Sequence, residues 1–352
     1  MLDYYDIRKL IFLLDPEDAH NIVENLSKLI QKSPFLLETL KKRYFVDDKR
    51  LSQQIFGKTF QNPVGLAAGF DKNATMIKTM AAVGFGFVEI GTITPKPQSG
   101  NPKPRIFRYP ELESIQNSMG FNNDGMEKIA KRIKDIYPFD IPIGINIGKN
   151  KTTPQEDAIK DYKVLIEKFK DICDYMVINI SSPNTPNLRD LQNENFIKDI
   201  FLVAKEVTDR PVLLKIAPDM SCQQAVDLAC LAVDNKADGI IATNTTTDYS
   251  LIKDSKKFGG ISGKVLKKKS FEIFKAISKE LFGKTILISV GGIDTPLEAY
   301  KRIKAGASLV ELFSGLIFKG PFLVKNINIG ILRLLERDGF KDIKEAIGAD
   351  LK

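Results

Sequence analysis

Tyr175-Met-Val-Ile-Asn-Ile-Ser-Ser-Pro-Asn-Thr-Pro-Asn-Leu-Arg189 reads as a buried strand running into a rigid polar loop. Residues 175–180 are mostly apolar and partly β-branched, the pattern of a strand covered on both faces. Pro183 and Pro186 then forbid both continuation of the strand and an immediate helix. Asn179 and Asn184 can each donate and accept, which suits a flat ligand with carbonyl and N–H edges. Ser182 is the hydroxyl held between those amides. Taken alone, the stretch is equally well a plain Pro/Asn/Ser turn.

Working outward, the strand belongs to a series. Strand-like runs are predicted at 63–67, 87–91, 143–147, 175–180, 212–216, 239–243, 286–290 and 309–313. Helical periodicity is predicted over 74–83, 124–137, 155–169, 194–207, 222–235, 270–281, 296–305 and 321–337. Eight strands alternating with eight helices imply an α/β fold, a (β/α)8 TIM barrel. The competitor is an open doubly wound sheet, which usually has fewer strands and a Gly-rich phosphate turn after the first. Each strand is followed by small or polar residues: Gly69 to Lys72, Thr92, Lys149-Asn150, Ser181 to Asn184, Asp219, Asn244 to Thr246, Gly291-Gly292 and Ser314-Gly315. In a barrel these meet on one rim, where active sites are built. Gly291-Gly292 and Ser314-Gly315 close the last two strands, where barrels often bind phosphate. Gly259 to Lys264 resembles a P-loop superficially, but Phe258 replaces its first glycine and Val265 follows the lysine.

Composition narrows the chemistry. The chain has 352 residues, 43% of them hydrophobic, enough for a large core, and a formal charge of +8. A basic balance suits an anionic ligand, nucleic acid or an anionic membrane without choosing among them. The densest cluster, Lys267-Lys268-Lys269, reads as a solvated helix start. Three cysteines without CxxC spacing argue against a disulfide framework or thiolate metal site. His20 is the single histidine, so a histidine triad or zinc site in the core domain is excluded by count. No signal peptide is apparent: Asp3 and Asp6 precede a short apolar run with no cleavage site after it.

Residues 1–45 differ from the rest. Leu2, Leu10, Phe12 and Leu13 come first, Asp15-Pro16 opens a second helix, and Ser33-Pro34 opens a third. Such amphipathic helices either pack on the barrel or lie in a membrane interface. The division expected is 1–45 as a helical extension and 46–352 as the barrel.

The chain resembles quinone-dependent, membrane-associated dihydroorotate dehydrogenases along essentially its whole length. The resemblance rests on Asp-Pro-Glu-Asp-Ala-His at 15–20, Asn-Pro-Val-Gly-Leu-Ala-Ala-Gly-Phe-Asp-Lys at 62–72 and Gly-Thr-Ile-Thr-Pro-Lys-Pro-Gln at 91–98. It continues through Asn-Ser-Met-Gly-Phe-Asn-Asn at 117–123, Asn-Ile-Gly-Lys-Asn at 146–150 and residues 179–189. Ala-Thr-Asn-Thr-Thr at 242–246, Gly-Ile-Ser-Gly at 260–263 and Val-Gly-Gly-Ile at 290–293 complete the set. Together and in order these motifs are highly specific.

The resemblance implies oxidation of dihydroorotate to orotate in pyrimidine synthesis, with FMN as cofactor and a membrane quinone as acceptor. It implies FMN contacts at Ala68, Gly69, Phe70, Asp71, Lys72 and Thr92, at Asn146, Asn179, Lys215 and Thr243, and at Gly263, Gly292, Phe313 and Ser314 around the phosphate end. Orotate contacts are implied at Lys72, Asn117, Ser118, Met119, Gly120 and Phe121, and at Asn179, Asn184, Asn244 and Thr245. Ser182 matches the catalytic base, Phe121 and Thr185 match residues gating its proton path, and His20 and Arg108 match the quinone tunnel. Phe313 stands where the family often has tyrosine, which removes a hydroxyl from the tunnel's inner end. Serine in place of the cysteine of the soluble class, together with residues 1–45, places the chain with the membrane class. The implied setting is a monomer on the cytoplasmic face of a bacterial inner membrane, bound peripherally, with no nucleic-acid partner. Competing assignments are a soluble dihydroorotate dehydrogenase, an Asp71–Lys72 salt bridge in place of a ligand-binding lysine, a surface histidine at His20, a hairpin ribbon around Arg108, and a non-catalytic basic barrel.

Overall fold

The computed structural model describes residues 4–352; Leu2 and Asp3 lie outside the described residues. Three helices come first: α1 (Tyr4–Ile11), α2 (Pro16–Ile30) and α3 (Pro34–Tyr44). Asp15 caps α2 by accepting the amides of Glu17 and Asp18, and Pro16 begins the helix where its missing N–H costs nothing. A short antiparallel hairpin, β1 (Gln53–Ile55) with β2 (Lys58–Phe60), follows.

The barrel then begins with β3 (Val64–Leu66), α4 (Ile77–Ala82) and β4 (Phe87–Ile93). An excursion inserts β5 (Ile106–Tyr109) and β6 (Ser114–Asn117) before α5 (Met126–Lys134). Four further units are β7 (Ile143–Ile147) with α6 (Ala158–Phe169), β8 (Tyr175–Asn179) with α7 (Glu194–Val207), β9 (Val212–Ile216) with α8 (Cys222–Asp234), and β10 (Gly239–Ala242). A strand of the excursion sheet, β11 (Gly260–Gly263), precedes α9 (Lys267–Leu281). The series ends with β12 (Ile286–Val290), α10 (Pro296–Lys304), β13 (Leu309–Leu312), α11 (Ser314–Lys319), α12 (Phe322–Asp338) and α13 (Ile343–Ala346).

Strands β3, β4, β7, β8, β9, β10, β12 and β13 are parallel and close on themselves, β13 pairing back to β3 through Val310 opposite Val64. All eight expected strands are present, and closure decides for the TIM barrel over the open sheet. The predicted helices are present too, with ends shifted; the first is shorter than the pattern, beginning at Ile77, because 71–76 form a turn around Asp71. What periodicity did not foretell is the excursion sheet of β5, β6 and β11, which stands over the rim between barrel and extension. The ribbon considered for Arg108 is real: it lies on the edge strand β5.

The lumen is plugged from below by Ile55, Phe60, Phe87, Tyr175 and Leu213. Gly65 and Gly144 make room for it. A Cβ at Gly65 would come 2.1 Å from the Phe87 ring, and one at Gly144 2.2 Å from the Tyr175 ring. The larger core lies between strands and surrounding helices. Filling the floor forces any ligand to the opposite, C-terminal rim.

The extension is tied to that rim by a buried ion pair. Arg105 donates to both Glu17 carboxylate oxygens at 3.0 and 2.7 Å, and both residues are buried. The side-chain amide of Gln31 adds two links to the 75–78 turn. Replacing Glu17 by Ala should therefore lower stability by about 3 kcal/mol, because Arg105 is left buried without its acid. Urea unfolding of the variant checks this, and an unchanged midpoint would mean the pair does not anchor α2.

Candidate active site

A cavity of about 510 Å³ opens over the rim and continues up between the barrel and the helical extension. Its inner half is polar. Asn179, at the end of β8, donates to Thr92 Oγ1 at 2.9 Å and Asn146 Oδ1 at 3.0 Å, while Thr92 donates to Asn146. Asn244 donates to Ser181 Oγ at 3.0 Å, and Asn184 to Asn117 Oδ1 at 3.0 Å. These mutual bonds fix which edge each amide presents. Asn184 Oδ1, Thr245 Oγ1 and Thr185 Oγ1 are buried and have no partner among the described residues. Acceptors and hydroxyls kept unpaired in such a network are ready for a ligand.

The loop after β8 is held from outside. Arg189 donates to Ser181 O at 2.9 Å, Thr245 O at 2.8 Å and Asp219 at 2.7 Å. Burial pushes the Asp219 carboxyl up, but Lys269, Thr246 and Arg189 more than offset this and hold it down at about 2. Lys269 also bonds Asp219 at 2.8 Å, and Lys267 pairs with Asp294 at 2.7 Å. The basic triplet is thus not simply a solvated helix start: Lys268 is exposed and reaches only Glu272 of its own helix, at 3.9 Å, while its neighbours brace two rim loops.

Lys72 lines the same cavity as Asn117 and Ser182. Burial pushes its ammonium down to about 8, against the pull of Glu17, Glu24 and Asp71. The Asp71–Lys72 salt bridge is not formed among the described residues. Asp71 instead accepts the amides of Asn73, Thr75 and Met76, which turns its carboxylate away from the cavity. Asp71 is therefore not on the wall, and neither is Ser118, whose backbone is taken by Arg105 and Asn101. Asn146 and Thr185 sit behind the wall rather than on it. The other implied FMN and orotate residues all line the cavity: Ala68, Gly69, Phe70, Thr92, Met119, Gly120, Phe121, Lys215, Thr243, Phe313 and Ser314 join the amides named above.

At one end the wall is backbone. Gly263 (φ +99°) and Gly292 (φ +73°) have no room for a side chain, since a Cβ would meet Glu113 O at 2.5 Å or the Lys267 backbone at 2.7 Å. Ser262 and Ser314 hydroxyls meet there at 2.9 Å. Behind this cradle Arg302, fully buried, donates to Ser289 Oγ, Ser270 Oγ, Lys267 O and Gly291 O at 3.0–3.1 Å and to Glu298 at 2.8 Å. Sequence reading missed Arg302, because an arginine in an amphipathic helix looks like surface charge.

The outer half is apolar, lined by Ile11, Phe12, Ala19, Val23, Leu26 and Leu40. His20 and Arg108 stand on this wall. Arg108 donates to the Ile11 and Leu14 carbonyls and lies 4.5 Å from the Phe12 ring centroid. His20, Phe70 and Phe313 make successive edge-to-face contacts at 5.1 and 5.7 Å.

The amide rim, the glycine cradle and the apolar annex are matched by known proteins. The model of the family "Dihydroorotate dehydrogenase" matches residues 50–335. The chain belongs to the dihydroorotate dehydrogenase family. Among curated relatives, a "Dihydroorotate dehydrogenase (quinone)" of Nitratiruptor sp. is 61% identical over 351 residues, covering 100% of each chain. Another so named, from Sulfurimonas denitrificans, is 58% identical over 352 residues with the same coverage. Among solved structures, a DHODH from Eimeria tenella in complex with ferulenol superposes with a TM-score of 0.87 at 38% identity, covering 96% of both chains. The family match disposes of the non-catalytic barrel.

Burial depresses His20 to about 4, with Lys72 adding repulsion, so the ring is neutral at pH 7. The folded value lies below the unfolded one of 6.5, so below pH 6.5 the unfolded chain takes up a proton that the native one refuses. Stability should fall as pH drops from 6.5 to 4 by on the order of 3 kcal/mol from this group, and then level off. His20→Gln should flatten that part of the profile in urea unfolding at stepped pH; an unaltered slope would contradict the assignment.

Proposed function

We propose that this chain oxidises dihydroorotate to orotate in pyrimidine synthesis, using FMN and passing the electrons to a quinone. The observation that carries the reading is a single cavity with two chemistries: an amide-lined inner chamber continuous with an apolar annex. The inner chamber fits a flavin and an imide. Its glycine cradle admits a phosphate close to backbone N–H groups, and its orphaned Asn184 and Thr245 oxygens await polar partners.

When bound, FMN supplies a hydride acceptor, chemistry that no side chain here has. Gly263, Gly292, Phe313 and Ser314 would hold its phosphate end, and Ala68, Gly69, Thr92, Lys215 and Thr243 would hold its ring, with Asn146 bracing Thr92 and Asn179 from behind the wall. Asn117, Asn179, Asn184, Asn244 and Thr245 read the imide edges of the substrate, and Met119, Gly120 and Phe121 close over it. Lys72 faces its carboxylate; a partly desolvated ammonium interacts with that charge more strongly than a solvated one. Ser182 removes the proton from the carbon beside the one that loses hydride. Its Oγ accepts the Asn184 N–H at 3.2 Å, which aims the hydroxyl, and a serine works as a base only by relaying the proton onward. Thr185 Oγ1, buried and without a partner among the described residues, supports that relay, and Phe121 on the cavity wall acts as its gate.

Residues 1–45 form the quinone channel wall and membrane face, and residues 46–352 the catalytic barrel. Among the described residues no helix is long and apolar enough to cross a membrane. Leu13 and Phe35, 82% and 77% exposed, give the extension an apolar face, with Lys28, Lys41 and Lys42 nearby. We assign this face to peripheral binding on an anionic bilayer, the cytoplasmic side of a bacterial inner membrane, and the positive charge to that surface rather than to nucleic acid.

Two measurements test the reading. The purified protein should be yellow, and Ser182→Ala should keep its flavin while dihydroorotate reduces it ~10²–10⁴ times more slowly in anaerobic stopped flow; a near-normal rate removes Ser182 from its role. Val23→Trp should fill the annex. Turnover with a long-tailed quinone should then drop at least tenfold while turnover with a water-soluble dye persists. Equal loss with both acceptors would show that the annex is not the quinone route.

A further inference from the structure

Beneath the amide rim lies a charged group of which the mechanism above uses only Lys215. Glu89 on β4, Lys215 on β9 and Glu311 on β13 all point into the lumen and are all buried. Lys215 Nζ lies 3.0 Å from Glu89 Oε1 and 3.3 Å from Glu311 Oε2. Asn146 Nδ2 also donates to Glu89 Oε1, at 2.7 Å. Lys215 and Glu311 reach the cavity wall itself. From the remaining strands, β8 contributes the Tyr175 hydroxyl, and β10 and β12 contribute Ile241, Ile288 and Val290.

The charges do not balance as written. Among the described residues these two carboxylates pair with one ammonium and no second cation, in a lumen sealed from below by aromatic rings. A surplus buried charge costs several kcal/mol, and the usual resolution is that one acid keeps its proton. The geometry allows it. Glu89 Oε1 and Glu311 Oε2 converge on the one Lys215 Nζ, while Glu89 Oε2 and Glu311 Oε1 are buried and find no donor among the described residues, so each has a free position for a proton. Burial and the neighbouring Glu89 push Glu311 well above the usual carboxylate range, against Lys215. Burial alone would depress Lys215, but the two acids outweigh it and keep it an ammonium.

We propose that Glu89 and Glu311 hold one proton between them, so that with Lys215 the group is electrically neutral, and that this charge count sets the reduction potential of the flavin above it. The second half rests on the assignment of the inner chamber to FMN. Glu89 and Glu311 are positioning residues: they keep Lys215 charged and aimed at the ring without adding net negative charge that would oppose reduction.

The test uses full-length protein, and its first readout needs no flavin. Infrared spectra at neutral pH should show the carbonyl stretch of a protonated carboxylic acid in the wild type, lost in both E89Q and E311Q. Because either single glutamine replaces the protonated partner and leaves one carboxylate with Lys215, the flavin midpoint potential should stay put in both. In E89Q/E311Q the ammonium is uncompensated and reduced flavin should be favoured at least tenfold, about 30 mV for two electrons. A wild type without the carboxylic-acid band, or a single variant whose potential rises by the tenfold amount, overturns the shared proton. A double variant that binds flavin at the wild-type potential overturns the link to redox. If the double variant does not fold, the two singles still decide the proton. Protein that shows the band but binds no FMN at all would contradict the functional reading instead.

Discussion

Closure of a parallel barrel is the constraint from which the remainder follows. Once β13 pairs with β3, all eight strands end on the same rim and every βα loop is delivered there. The opposite end is filled, because Gly65 and Gly144 yield their volume to Phe87 and Tyr175. Polar residues at strand ends then have no neighbours but one another, and they form the amide lattice linking Thr92, Asn146, Asn179 and Asn244. Specific ligand recognition is thus an outcome of topology plus a few side chains.

Much of this was legible in the sequence, for identifiable reasons. Strands buried on both faces announce themselves as short apolar runs, so all eight were found, and the residues just after them were the wall of the site. Ser182 and its asparagines stood out because two prolines freeze a loop that has no structural need for so many amides. Helix ends were less legible: 71–76 turn around the Asp71 carboxylate, a tertiary use that periodicity does not register.

What stayed hidden shares a cause. Glu89 and Glu311 meet Lys215 from 126 and 96 residues away, and Arg302, besides its helix neighbour Glu298, reaches Ser270 and Lys267 from 32 and 35 residues away. Nothing local distinguishes such a residue from solvated surface. The lysine triplet failed in the same way, since Asp219 and Asp294 reach it only through the fold. Asp71 and Ser118 erred in the opposite direction: they sit inside informative motifs but support the wall from behind.

The Arg302 guanidinium has a consequence for how the chain acquires its shape. It joins Ser289 and Gly291 around the end of β12, Lys267 and Ser270 on α9, and its own helix α10, so these segments become ordered as one unit or not at all. The glycine backbone they enclose cannot be preassembled by local sequence; its shape is imposed after the last barrel units have docked. A phosphate arriving there meets amides already oriented, so the ordering entropy of that loop falls on folding rather than on cofactor capture. Freshly made polypeptide would accordingly gain its flavin late, as a finished vessel receives its contents.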